Sequence, residues 1–118
     1  MRQVTKAATK AFAEGRPFSK SNTEVRIAAS GHVELCLHGN VIATRHTRGV
    51  LPVLLTLAGF PTVTTRERLN GLLQTLGIRA RVYQRDHRQW VGLPSGVAVY
   101  IEPGDEFFFN RQGQVEVL

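Results

Sequence analysis

Most of this chain consists of short segments in which apolar and polar residues alternate, with turn-forming residues between them. Alternation with a period of two is typical of a β-strand that has one buried face. The clearest example covers residues 32–38, where Val33, Leu35 and Leu37 alternate with polar residues and Cys36. Short strands joined by tight turns predict an antiparallel meander.

Further strands are predicted on both sides of this segment. They cover residues 24–27 and 41–44, and later 78–84, 89–91, 96–102, 106–109 and 114–118. The apolar run Val50–Ala58 predicts a buried strand with Pro52 near its start or at a bulge, although a helical segment is an alternative. Residues 15–22 have the composition of a turn.

Two segments carry helix signals instead. Leucines recur at i, i+3, i+4 and i+7 within Thr62–Leu76, which predicts one apolar helix stripe ended by Gly77. Thr64 and Glu67 have the spacing of a capping box at its start. A shorter helix is predicted over residues 5–14, ended by Gly15 and docked weakly through Phe12.

These elements predict one α+β domain over residues 1–118, a curved antiparallel sheet of short strands with one or two helices packed on its apolar face. A chain of 118 residues can bury enough surface to fold without a metal or disulfide. We expect the core to combine one strand face with the helix stripe: Val33, Leu35, Leu37, Leu69, Leu72, Leu73 and Leu76.

Composition bears on the compartment. The single cysteine, Cys36, cannot form an internal disulfide. The N-terminus lacks the apolar core of a signal peptide, and the longest apolar stretch is too short to span a bilayer. We therefore expect a soluble cytoplasmic protein with no membrane association, located in the host cytoplasm if it is encoded by a phage.

Charge is distributed unevenly along the chain, whose net charge is +6. Residues 1–91 hold fourteen of the fifteen Lys and Arg against five acids, whereas residues 92–118 hold one Arg against four acids. This asymmetry predicts a basic face, which would attract nucleic acid, an acidic protein or another anionic surface. Ordinary solubility charge is the alternative.

The basic character concentrates in one predicted strand and the turn that follows. Side chains of Arg and Tyr alternate there with smaller or apolar residues, so one strand face gathers arginines and a ring. Arginine forks bind phosphates and stack on bases, and aromatic rings give stacking platforms. This pattern predicts a nucleic-acid-binding face, of DNA or RNA, built by Arg79, Arg81, Tyr83, Arg85, Arg88 and Trp90.

Two more arginines are candidates for the same site. Arg66 and Arg68 lie in the first turn of the predicted capped helix, where cations oppose the helix dipole. Together with the helix N-terminus they would favour a phosphate or carboxylate. The alternative is that both are solvated side chains with little energetic effect.

Motifs for catalysis or cofactor binding are absent from the sequence: it has no phosphate loop, no G-x-S-x-G and no paired-cysteine motif. We expect no cofactor and no enzymatic activity. One strand face could offer metal-ligand or nucleophile chemistry, through His32, Glu34, Cys36 and His38. The simpler interpretation, which we favour, is the polar face of a half-buried strand with Cys36 as a small filler. We expect the carboxylate cluster at a Pro-Gly turn, Glu102, Asp105 and Glu106, to be a set of solvated charges, with a paired-carboxylate hydrolase site as the alternative.

Three stretches resemble a family of small proteins encoded by bacteriophages and prophages. They are Ser21-Asn22-Thr23 with Val25, Leu37-His38-Gly39-Asn40 followed by Ile42-Ala43, and Ala58–Thr62 leading into Thr64–Leu72. The resemblance covers residues 3–75, and the chain departs from the pattern in its longer C-terminal third. It implies a shared fold and no particular activity or catalytic residues.

The resemblance and the charge together favour a binding protein over a metabolic enzyme. The leading hypothesis is a phage-type accessory protein that binds nucleic acid through the basic, aromatic-bearing strand face. The alternative is a protein-binding inhibitor of a host factor or defence complex, of the anti-CRISPR type, that uses the same face against an acidic host protein.

Overall fold

The computed structural model describes residues 1–46 and 52–118, and this part of the chain forms two helices and ten strands. In chain order they are α1 (Gln3–Glu14), β1 (Phe18–Lys20), β2 (Thr23–Ile27), β3 (His32–Leu37), β4 (Asn40–His46), β5 (Leu54–Thr56), α2 (Val63–Thr75), β6 (Arg81–Arg85), β7 (Arg88–Gly92), β8 (Ala98–Ile101), β9 (Glu106–Phe109) and β10 (Val115–Val117).

The strands form two antiparallel sheets, and the predicted α+β class is confirmed. A seven-stranded sheet has the order β1-β2-β3-β4-β5-β9-β10, and a three-stranded sheet has the order β6-β7-β8. The chain leaves the large sheet after β5, forms α2 and the small sheet, and returns to pair Leu55 with Phe107. The segment 78–102, predicted as part of one curved sheet, therefore forms a sheet of its own.

Helix α1 ends where the sequence predicts, since Gly15 adopts a left-handed conformation with φ of 70°. Its docking was predicted to be weak, and this is wrong because Ala8, Ala11 and Phe12 are fully buried. Arg45 of β4 donates to the carbonyl oxygens of Phe12 and Ala13, at 2.9 Å from its Nη2 to each. A side chain of the sheet thus satisfies the open carbonyl end of the helix.

Helix α2 begins one residue after its N-cap, Thr62, whose hydroxyl oxygen accepts from the amide of Thr65 at 3.1 Å. The predicted capping box of Thr64 and Glu67 is wrong, because Glu67 lies deeper in the helix and bonds to α1 instead. Gly77, with φ of 73°, follows the helix as predicted.

The predicted core is confirmed. Leucines of α2 and the inward face of β3 belong to one buried cluster that Phe12 and Phe107 complete. Leu76 is the exception: it is only partly buried and packs against the rim of the cluster. Because α2 covers residues of both sheets, the core also fixes the small sheet against the rest of the molecule.

Strand boundaries differ from prediction in several places. Residues 18–20, predicted as turn, form β1. The strand predicted over Val50–Ala58 is reduced to β5 among the described residues, and its start at residues 50–51 lies outside them. The strand predicted from residue 78 starts at Arg81, so Arg79 precedes it. His38 leaves its strand for a turn, with φ of 51°.

Candidate nucleic-acid interface

The register of the three-stranded sheet sets the geometry of the candidate site. Tyr83 of β6 lies directly opposite Trp90 of β7, and Trp90 lies opposite Tyr100 of β8. Directly opposed residues of antiparallel strands project to the same side of the sheet. The three aromatic side chains therefore form one row across the sheet, which we call the aromatic row.

The aromatic row lies on the outer side of this sheet. The alternate residues Val82, Val91 and Ile101 are buried and belong to the core cluster. Tyr83 and Trp90 are partly exposed, and Tyr100 retains 43% of its accessible surface. The sheet thus presents rings to solvent on one side and aliphatic side chains to the core on the other.

Arginines flank the aromatic row. On β6, Arg81 and Arg85 lie two residues before and two residues after Tyr83, so all three project to the same side of the sheet. Arg88 lies opposite Arg85 on β7. These three arginines and Arg79 are exposed, and within residues 1–46 and 52–118 no ion pair occupies any of their guanidinium groups. We call Arg79, Arg81, Arg85, Arg88 and the aromatic row the basic face.

The hairpin between β6 and β7 holds two of these cations side by side. Its two turn residues, Asp86 and His87, have positive φ values of 52° and 63°. Two left-handed residues in a two-residue loop match the twist of the flanking strands. Arg85 and Arg88 consequently leave the turn as an opposed pair.

The rings of Trp90 and Tyr100 are in edge-to-face contact, with centroids 5.6 Å apart and planes at 69°. The indole Nε1 donates to the carbonyl oxygen of Arg85 at 3.4 Å. The hydroxyl of Tyr100 donates to Glu102 at 2.9 Å, and this hydrogen bond raises the pKa of Tyr100. The sequence does not indicate Tyr100 as part of the site, because only the pairing of β8 with β7 brings it beside Trp90.

Tyr83 leans over a glycine of the neighbouring strand. A Cβ atom added at Gly92 would lie 3.0 Å from Cε1 of Tyr83, closer than ordinary van der Waals contact. Gly92 is diagonal to Tyr83, since it pairs with Arg81. The missing side chain of Gly92 is what lets the tyrosine ring approach the sheet so closely.

Two of the depressions that adjoin the basic face share the residues Arg79, Arg81 and Tyr83. A groove of about 840 Å³ lies between α2 and β6, and its lining includes Arg66, Arg79, Arg81 and Tyr83. A shallower depression of about 530 Å³ lies on the Gly92 side, and Arg79, Arg81 and Tyr83 line it as well. The segment 79–83 is thus a ridge between two hollows, and its cations border both.

Arg66, a predicted binding residue, lies at the groove, but part of its guanidinium is already engaged. Nη1 donates to the carbonyl oxygen of Pro61 at 3.0 Å and to the side-chain oxygens of Gln89 at 3.0 Å and Gln84 at 3.3 Å. The side chain therefore fastens α2 to the β6–β7 hairpin. Its role at the site is to hold the hairpin in place and to add positive charge beside it.

Arg68 does not join the basic face, and its prediction as a binding residue needs correction. Only 2% of Arg68 is exposed. Its guanidinium donates to the hydroxyls of Thr23 at 3.0 Å and Thr5 at 2.9 Å, and it forms an ion pair with Glu67. These contacts join α2 to α1 and β2, so this arginine is part of the scaffold.

Comparison with known proteins supplies the biological context. A family model described as Kyanoviridae Gp96 protein matches residues 1–112. The chain belongs to this family. The predicted bacteriophage context is thereby confirmed. No curated protein and no solved structure matches the chain.

The Gp96 family match extends well beyond residues 3–75, the part of the chain over which the three stretches resemble phage proteins. It includes the small sheet and the whole basic face, so the C-terminal third is not a departure from the family. The basic face therefore lies within the residues that the family model matches. Among the described residues, neither helix is long and apolar enough to cross a membrane.

Several residues of those three stretches have structural roles in this Gp96-family protein. Asn70 binds the backbone of Val82 in both directions, at 2.9 Å and 2.7 Å. Gly71 lies against Thr5, where a Cβ atom would collide with the threonine side chain. These contacts dock α2 on β6 and α1.

The metal-ligand hypothesis for β3 finds no support in the geometry. Cys36 is fully buried, and burial raises the pKa of its thiol, which disfavours the thiolate needed by a nucleophile or ligand. His32 packs against His46 with ring centroids 4.0 Å apart, whereas His38 lies in the turn beside Asn22. Within the described residues, no group of three or more His, Cys, Asp or Glu is placed to hold a metal ion.

The carboxylates near the β8–β9 turn have local partners. Asp105 accepts from the amide of Glu102 at 2.8 Å, and Glu102 accepts from Tyr100. An Asp side chain that binds a backbone amide in this way stabilises a turn. This cluster therefore shapes the connection out of the small sheet.

Proposed function

We propose that this Gp96-family protein is a non-enzymatic phage accessory protein that binds nucleic acid through its basic face. The observation that carries the proposal is the cluster of four exposed arginines around the aromatic row. Within the described residues, the three ion pairs involve Arg16, Arg26 and Arg68, and none involves these four arginines. A group of uncompensated cations on one sheet is suited to a polyanion.

The side chains of the basic face supply the two interactions that nucleic-acid binding uses most. Guanidinium groups form paired hydrogen bonds with phosphate oxygens and stay charged at all physiological pH values. Aromatic rings on a sheet stack against bases, and this is how several RNA-binding sheets recognise their ligands. All of these residues except Arg79 stand on paired strands, so strand pairing sets the spacing of their Cα atoms before a ligand arrives.

A salt titration tests the proposal. Binding of a fluorescein-labelled 12-nucleotide oligonucleotide is followed by anisotropy across a range of salt concentrations. Each phosphate neutralised contributes roughly −0.7 to −0.9 to the slope of log K against log salt. Engagement of three or four arginines gives an expected slope of about −2 to −4.

The variant Arg79→Ala/Arg81→Ala should flatten that slope by about one to two units without unfolding the protein. The matched control is Lys10→Ala/Lys20→Ala, which removes the same charge from exposed positions on α1 and β1. The control should keep most of the affinity and the slope. If both double variants reduce the affinity and the salt slope equally, only net charge matters, and this placement of the site is contradicted.

The alternative function, inhibition of a host factor or defence complex, uses the same basic face against an acidic protein surface. It becomes the better proposal if no oligonucleotide binds even at low salt while the protein stays folded. In that case the variant Arg79→Ala/Arg81→Ala should no longer capture a host protein from nuclease-treated lysate. The variant Lys10→Ala/Lys20→Ala should still capture it.

A further inference from the structure

We infer that the ligand of the basic face is single-stranded, with a base stacked on the ring of Tyr83 and the flanking phosphates held by Arg79 and Arg81. This inference rests on the proposed function and names its ligand class. Two independent features support it: the way Tyr83 is seated on the sheet, and the hollows on either side of the ridge that carries it.

Tyr83 is placed as a platform. Its ring leans over Gly92, where the absence of a side chain lets Cε1 approach the sheet. Support from the glycine beneath limits the motion of the ring, so that less order has to be gained when a base stacks on it. Gly92 is therefore a positioning residue that acts through Tyr83.

The surface beside the ring has room for a strand. The groove of about 840 Å³ lies on the α2 side of the ridge, and the depression of about 530 Å³ lies on the Gly92 side. Arg79 and Arg81 line both of them. A strand that crosses the ridge at Tyr83 would keep these two cations near its backbone on both sides.

A duplex cannot use this arrangement in the same way. Inside a duplex the base faces are stacked on one another, and a protein reaches them only by extruding a base at an energetic cost. The unpaired bases of a single strand offer free faces to a ring. The seated tyrosine adds affinity only for the single strand, whereas the arginines serve either ligand.

The chain provides an internal reporter, since Trp90 is its only tryptophan and belongs to the aromatic row. Quenching of its fluorescence is measured with four probes of equal length: a dT 12-mer, the matching RNA 12-mer, a DNA duplex and an abasic sugar-phosphate 12-mer. We expect both single strands to bind more tightly than the duplex and the abasic strand.

Two variants test the platform. Tyr83→Leu should weaken binding of the single strands by roughly 5- to 150-fold while leaving duplex and abasic binding almost unchanged, and Tyr83→Phe should retain single-strand binding. Gly92→Ala should reproduce part of the Tyr83→Leu effect, because the new methyl group displaces the ring.

The matched control for the glycine is Gly104→Ala. Neither Gly92 nor Gly104 has a positive φ, and an added Cβ at Gly104 meets no atom within 4 Å. This control should bind single strands like the unaltered protein. Thermal melting of each variant verifies that it remains folded.

The outcomes separate the inference from the proposed function. If Arg79→Ala/Arg81→Ala weakens binding but the duplex and the abasic strand bind as tightly as the single strands, the inference is overturned and nucleic-acid binding stands. The inference is likewise overturned if folded Tyr83→Leu keeps full single-strand affinity. If none of the four probes binds at low salt, the proposed function itself fails.

Discussion

Replacing Arg68 should lower the free energy of unfolding more than replacing any other charged residue in α2. The guanidinium is 2% exposed and joins three parts of the molecule. It donates to Thr5 of α1 and Thr23 of β2, and it pairs with the adjacent Glu67. Glu67 in turn accepts from the backbone amide of Arg2 at 3.3 Å, which ties the start of α1 into the same network.

The expected cost of Arg68→Met follows from these contacts. Methionine fills much of the space but donates no hydrogen bond, so Glu67 is left without its cation. Removal of one partner of a buried ion pair costs about 3–5 kcal/mol. Because the Glu67 side chain keeps 22% of its exposure, water compensates in part, and we expect the lower end of that range, about 3 kcal/mol.

Thermal unfolding measures this loss directly. For a chain of this length, 1 kcal/mol corresponds to roughly 4 °C in Tm, so Arg68→Met should lower Tm by about 12 °C. Arg66→Met is the matched control, because it removes the same group two positions away from a partly exposed site. Its expected cost is about 1 kcal/mol, because water replaces much of the hydrogen bonding of this partly exposed guanidinium.

Arg68→Lys separates geometry from charge. Lysine keeps the positive charge, but its compact ammonium cannot reach the acceptors that the planar guanidinium spans. We expect it to recover only a minor part of the stability. If the Tm of Arg68→Met lies within about 1–2 °C of that of the unaltered protein, a shift worth less than about 0.5 kcal/mol, or if Arg68→Lys restores the full Tm, the network does not hold the helices to the sheet.

Three further predictions concern the scaffold. Burial opposes ionisation of Glu67, but hydrogen bonds from Thr5, Arg2 and Arg68 outweigh it and lower its pKa. The carboxylate therefore stabilises the fold above its usual pKa and loses this effect as pH falls below that value. The stability of Glu67→Gln, measured by denaturant unfolding, should depend less on pH in this acidic range. Leu72→Ala should cost about 2–5 kcal/mol, because Leu72 is fully buried in the core cluster, and an unchanged Tm would contradict the predicted core. Cys36→Ser should cost about 1–3 kcal/mol, since it places a hydroxyl in a fully buried site. In the unaltered protein a thiol reagent should modify Cys36 far more slowly than in denaturant, and equal rates would contradict its burial.

Local patterns are enough to predict much of the fold. The strand over residues 106–109 has the predicted boundaries, and the helix predicted over Thr62–Leu76 differs by one residue at each end. Alternation and helix stripes depend on neighbouring residues only, so a sequence displays them directly. The separation into two sheets depends on distant pairing, such as that of β5 with β9, for which no local pattern exists.

In the candidate site, too, the features that depend on neighbouring residues can be predicted from the sequence, whereas those that depend on distant pairing cannot. Arg81, Tyr83 and Arg85 share a face because they are spaced two residues apart along one strand. The sequence predicts this shared face directly. The position of Tyr100 depends on the register between β7 and β8, which sequence periodicity does not provide. The prediction for Arg68 is wrong because a charged residue early in a helix resembles a solvated one, while the threonines that accept its hydrogen bonds are 45 and 63 positions away.

The ion pairs show which of the arginines in the basic part of the chain are neutralised by acids. Residues 1–91 contain five acids, and three of them, Glu14, Glu34 and Glu67, pair with Arg16, Arg26 and Arg68. Each of these pairs cancels the charge of one arginine outside the basic face. The arginines of the basic face have no such partner among the described residues.

The four arginines of the basic face therefore form a local concentration of positive charge on the small sheet. A concentrated field raises the rate at which a polyanion encounters the protein, and added salt screens that field. It follows that removal of Arg79 and Arg81 should slow association and reduce its dependence on salt. Removal of Lys10 and Lys20, which changes the net charge equally, should alter the association rate much less.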